Sequence, residues 1–73
     1  MKITIQSTTK IVEVNGVPAR VWEGESEHGV KVQVLVTRIA AAIGQDLSQF
    51  DAELQEQRPP SVEVQAFPMR MVL

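Results

Sequence analysis

The chain has 73 residues, a formal net charge of −2, no cysteine, 44% hydrophobic and 22% charged residues. That is one ordinary globular domain of 1–73, short enough to bury only roughly 60% of its unfolded surface. The composition excludes disulfides and thiolate zinc sites, and the acidic balance opposes a nucleic-acid binder that works by neutralising phosphates.

Lys2–Gln6 alternates, with Ile3 and Ile5 on one face, and predicts a short strand. Ser7-Thr8-Thr9 either turns or continues it. Lys10–Val14 is a second strand-like run, followed by Asn15-Gly16 and then Val17–Glu23. An Asn-Gly pair suits a two-residue type I′ turn, which needs φ > 0 at both positions. The register that follows sets Val14 opposite Val17 and Val12 opposite Ala19. Val12, Val14, Val17, Ala19 and Val21 then share an apolar face that reads as core, and Ile11, Glu13, Pro18, Arg20 and Trp22 take a mixed face. Pro18 falls in a non-hydrogen-bonded pair with Glu13, so its missing N–H points away from that partner, toward an edge or a frayed side.

Glu25–Gly29 predicts the next turn, type I with Gly29 left-handed. That turn is expected to set Val21 opposite Val34, Ala19 opposite Val36 and Trp22 opposite Gln33, so that the valines of both hairpins share one face. Gly24 marks a candidate bulge. Val30, Val32, Val34 and Val36 alternate with Lys31, Gln33 and Leu35, the pattern of a half-buried strand. The parity changes after Arg38, and a long bent strand ending before Gly44 is the expectation there, with helix through the alanines as the alternative.

Ser48-Gln49-Phe50-Asp51 has the form of a helix start, with Ser48 as cap, Asp51 at the reciprocal position and Leu47 as a staple. Phe50 and Leu54 share a face, Arg58-Pro59-Pro60 ends the helix, and two and a half turns must dock on the sheet to persist. Ser61–Leu73 returns to strand character. The expected fold class is α+β: an antiparallel β-meander of about four strands, one short helix and a C-terminal strand.

The chemistry-bearing residues point away from catalysis. Glu23, Glu25 and Glu27 with His28 could in principle gather at a turn and hold a divalent cation, but their order matches no calcium loop, and a solvated hairpin tip is the simpler reading. His28 has no nucleophile at a useful spacing. Glu13 and Glu23 are the carboxylates that could lie near Trp22 on one surface, with surface pairing to Lys10 or Arg20 as the simpler role. Gln6–Lys10 lacks the glycines of a phosphate loop. No catalytic residue, metal ligand or cofactor is therefore assigned, and the expectation is a protein that is not an enzyme.

Trp22, Arg20 and Arg38 are the candidate protein-interaction residues, because Trp and Arg dominate interface hot spots. The apolar terminus adds Met71 and Leu73. Whether the helix covers the Trp22 face or leaves it to a partner stays open at this point. A protein partner and self-association into a homo-oligomer are expected, with no nucleic acid and no membrane. Met1–Ile5 lacks the apolar stretch of a signal peptide, and no run reaches 18 apolar residues, so a cytoplasmic location is the expectation.

The segments Asn15-Gly16-Val17-Pro18-Ala19-Arg20-Val21-Trp22-Glu23-Gly24, Gly29-Val30, Val36-Thr37-Arg38-Ile39, Ser48-Gln49-Phe50 and Glu53-Leu54-Gln55-Glu56 resemble small uncharacterised proteins of bacterial phages and prophages. The resemblance spans most of the chain and holds no motif of known chemistry, so no residue role comes with it. It implies an accessory protein that binds a host or phage protein, including proteins of host defence, and so acts in the host cytoplasm. A structural component of a phage particle is the alternative, and a metal-dependent protein using Glu23–His28 is a more distant one.

Overall fold

The computed structural model describes residues 1–61, Arg70 and Val72. The expected C-terminal strand, and with it Met71 and Leu73, lies outside the described residues. Within them the order is β1 (Ile3–Val14), β2 (Val17–Ser26), β3 (Lys31–Val36) and α1 (Ser48–Leu54). The strands form an antiparallel sheet in the order β1-β2-β3.

The first hairpin follows from its turn. Asn15 and Gly16 have φ of 50° and 81°, as a type I′ turn demands. Val14 pairs with Val17, Glu13 with Pro18 and Val12 with Ala19. The expected four-strand meander is corrected at Ser7-Thr8-Thr9, where the chain continues rather than turns. The two predicted N-terminal strands are one strand, β1, with a bulge. Between Ile11↔Arg20 and Ser7↔Trp22 the register shifts, so Thr8, Thr9 and Lys10 stand against Val21 alone. Two extra residues preserve side-chain parity, which returns Ile3, Ile5 and Ser7 to the face that carries Ile11.

The bulge removes ladder partners, and the Thr8 hydroxyl supplies them. It donates to the Val21 carbonyl at 2.6 Å and accepts from the Lys10 N–H at 3.2 Å. Thr8 is completely buried, so each of these bonds avoids an unpaired polar group, a loss of about 1–3 kcal/mol. The Thr9 N–H, also released by the bulge, donates to the Arg58 carbonyl at 2.9 Å.

The second hairpin corrects the expected register by one residue. Gly29 is left-handed, φ 83°, and its N–H donates to the Ser26 carbonyl, as the predicted turn requires. The Ser26 N–H, however, donates to the carbonyl of Val30, not of Gly29. Gly29 is thus an extra bulge residue closing the turn. Val21 pairs with Leu35, Trp22 with Val34 and Arg20 with Val36. A one-residue slip exchanges the faces, so Val32, Val34 and Val36 lie with Trp22 instead of with Val21.

Pro18 also sets the end of β3. Hydrogen-bonded pairs alternate along an antiparallel ladder, and after Arg20↔Val36 the next such pair would be Pro18 with Arg38. Proline has no N–H to give, and β3 stops at Val36. The expected long strand to Gly44 is therefore absent, and 37–47 is irregular, with a turn at Gly44 (φ 90°). Gly24 is not a bulge. It pairs regularly with Ile5 and Val32, and a Cβ there would fall on the backbone oxygen of Thr4. Glycine permits this close approach of two strands.

The helix starts differently from its expected box. Leu47 occupies the N-cap, no side chain caps the helix, and the Leu47 carbonyl accepts from the Asp51 N–H at 2.8 Å. Asp46 instead accepts the Ser48 N–H at 2.9 Å. That backbone bond, followed by the Ser48 hydroxyl, holds the exposed Asp46 carboxyl below the ordinary 3.8. The helix is done by Leu54, with Gln55 as C-cap, ahead of the two prolines.

Candidate interaction groove

The two faces of the sheet differ in how they are closed. On the first face Ala19 and Val21 are each 2% exposed. Beside them Glu23, also 2% exposed, is held by Arg58 Nη2 at 3.0 Å, while both its oxygens accept the Ser61 N–H at 3.1 Å. The second face carries Ile3, Ile5, Ile11, Trp22, Val32, Val34 and Val36 by register, and none of these is buried.

Residues 56–61 tie the helical half to the sheet by wrapping the edge of β1 at its bulge. On the second face, the Ser7 hydroxyl donates to the Glu56 carbonyl at 3.1 Å, and Arg20 Nη1 donates to Gln57 Oε1 at 3.1 Å and to the Thr8 carbonyl at 2.9 Å. At the edge, Thr8 and Arg58 form a parallel bridge. On the first face, Glu23 receives Arg58 and Ser61. At the bulge, the outward Thr9 N–H meets this segment and the Thr8 carbonyl meets Arg20.

α1 itself stands off the sheet. No α1 residue is buried; Phe50 is half-buried and Leu54 is 37% exposed. The expected docking of Phe50 and Leu54 is therefore incomplete, and a groove of about 810 Å³ lies between helix and sheet. Its sheet wall is Gln6, Ser7, Arg20, Trp22 and Val36. Thr37, Arg38 and Ile39 close one end, and Phe50, Glu53 and Leu54 with Glu56–Arg58 form the helical wall. Ile39 is 49% exposed.

Of the sequence-derived candidates, Trp22, Arg20 and Arg38 come together in this one groove. Trp22 is half-buried against Val34 rather than Gln33. Val36, Phe50 and Leu54 also line the groove; the expected β2–β3 register put Val36 on the other face, and the face on which the helix docks was left open. The Glu23–His28 cluster is dispersed. Glu23 pairs with Arg58 and Glu25 with Lys31, while Glu27 and His28 sit exposed at the hairpin tip. No group of three His, Asp or Glu side chains among the described residues is placed to hold a metal ion. Glu13 and Glu23 lie on opposite faces, the first opposite Pro18 and the second opposite Gln6, so they cannot act as a pair. No helix among the described residues is long and apolar enough to cross a membrane. No family model, curated protein or solved structure matches the chain.

Proposed function

We propose that this chain is a non-enzymatic accessory protein of the phage and prophage kind, and that it acts by binding another protein through the groove between α1 and the Trp22 face. The observation that carries this reading is the lining: a half-exposed tryptophan, three arginines and four apolar side chains (Val36, Ile39, Phe50 and Leu54) in one concave site. Aromatic and arginine anchors seated in a pocket carry most of the energy of protein interfaces. The host cytoplasm and a modulated host protein, such as a component of defence, belong to the same proposal. So does self-association, with a second copy as a further user of this face.

Tagged chain expressed in a bacterial host, with photo-crosslinkers at Ile39 and Leu54, tests the proposal. Cross-links to a single protein are expected, and Trp22→Ala should weaken its retention about 30-fold, the effect of one hot-spot residue. Glu27→Ala at the exposed hairpin tip should leave retention unchanged. A partner held equally by Trp22→Ala, or cross-linked only from the tip, would refute the groove as the site. Sedimentation across micromolar concentrations decides self-association, and a monomer throughout removes it.

A further inference from the structure

The groove has a charge pattern that narrows what it takes. Of its three guanidinium groups, Arg58 is neutralised by Glu23 at 3.0 Å. Arg20 is not. Its two bonds go to neutral acceptors, the Thr8 carbonyl at 2.9 Å and Gln57 Oε1 at 3.1 Å, and both leave from Nη1. Its Nε–H and Nη2 groups have no partner among the described residues, nor does the Arg38 guanidinium or the Trp22 indole N–H. No buried side-chain nitrogen or oxygen among the described residues lacks a partner, so these unmade donors reach solvent. Glu53 and Glu56 line the helical wall, yet among the described residues no carboxylate pairs with Arg20 or Arg38.

A guanidinium anchored through one nitrogen is fixed in its plane before any ligand arrives. The edge formed by Nε–H and Nη2 is the fork that takes a carboxylate with two parallel bonds. Beside it stand Trp22 and Val36, the latter directly opposite Arg20 across the ladder. We infer, resting on the interaction reading above, that the groove receives a peptide segment of the partner protein carrying a carboxylate next to an apolar side chain. Arg20 takes the carboxylate, and the apolar side chain lies against Trp22. A phosphate polymer is the disfavoured alternative, because the whole chain carries net charge −2 and would repel it.

A displayed library of random hexapeptides, selected on the full chain and counter-selected on Trp22→Ala, tests this. The retained pool should be enriched in Asp or Glu adjacent to Leu, Ile or Phe. Trp22 is the only tryptophan, so its fluorescence reports occupancy by a synthetic capped peptide from that pool. Its Asp→Asn counterpart should bind about tenfold more weakly or worse, the strength of a charge-assisted bond. Arg20→Lys, which keeps the charge and loses the fork, should erase most of that preference. If Arg20→Lys does not fold, the Asp-against-Asn contrast on the wild-type chain decides alone. A pool that depends on Trp22 but is neutral or basic overturns this inference and leaves the interaction reading standing. A selection in which no peptide survives the counter-selection on Trp22→Ala overturns both. A thymidine oligonucleotide that quenches Trp22 at lower concentration than the acidic peptide overturns the inference in favour of phosphate.

Discussion

The two faces of the sheet each carry a row of apolar side chains, and they are used in opposite ways. On the first, Ala19 and Val21 are sealed, and the polar groups buried with them are fully occupied, Thr8 by backbone and Glu23 by Arg58 and Ser61. On the second, Trp22 and three valines are half-exposed and the donors of Arg20 beneath α1 are unmade. A closed face spends its polar groups inward; an open one leaves them facing the groove. Residues 56–61 lock onto the β1 bulge, and α1 leaves Trp22 half-exposed.

The comparison breaks most severely at Gly24, where both faces depend on the close approach of β1 and β2. Gly24→Val should cost about 3 kcal/mol or more, because its Cβ would meet the rigid backbone of Thr4 and Ile5; chemical denaturation measures this, and a loss under 1 kcal/mol would contradict the described register. A sharper test uses one isosteric change on each face. Val21→Thr puts a hydroxyl into the sealed face and should destabilise by about 2 kcal/mol. Val34→Thr, half-exposed beside Trp22, should cost about 0.5 kcal/mol, since water satisfies the hydroxyl. Equal losses would remove the distinction between the faces.

Gly16→Val should cost about 2 kcal/mol, since a β-branched residue resists the left-handed backbone that holds φ at 81°. The effect reaches both faces through the hairpin register. The smallest effect belongs to Asp46, remote from the sheet. Its carboxyl titrates below its ordinary 3.8, so its hold on the first helical turn is complete above that value and is lost as pH falls through the lowered one. Asp46→Asn should abolish this step in the Ser48 amide shift while leaving the melting temperature unchanged.

Much of the first face was legible in the sequence, and the reason is turn chemistry. Asn15-Gly16 admits one tight geometry, so Val12, Val14, Ala19 and Val21 were placed correctly. Pro18 pointed to a frayed or edge side beyond the hairpin, yet the next strand was still expected to run on toward Gly44, whereas it ends at Val36. The second face was misread because Gly29 serves the same turn whether or not it adds a bulge residue. That one residue decides where Val32, Val34 and Val36 point. The β1 bulge was invisible for a related reason: Ser7-Thr8-Thr9 suits strand and turn alike, and the bond that satisfies the bulge, from the Thr8 hydroxyl to the Val21 carbonyl, is a contact across the sheet. Trp22, Arg20 and Arg38 were singled out by residue type alone, and their meeting in one groove depends on the register. Phe50 and Leu54 were expected to dock on the sheet with the face left open, because helical spacing shows which side chains share a stripe and not where that stripe lands.

The β2–β3 register gives Trp22 a bed of valines and makes its face the apolar, open one. Non-hydrogen-bonded antiparallel pairs bring Cα atoms to about 4.5 Å, against about 5.5 Å in hydrogen-bonded pairs. Cross-strand Hα–Hα contacts by NMR therefore read the register directly. Strong contacts between Val21 and Leu35 and between Glu23 and Gln33 are the expected result. A strong contact between Val21 and Val34 would return the valines to the sealed face and contradict the account.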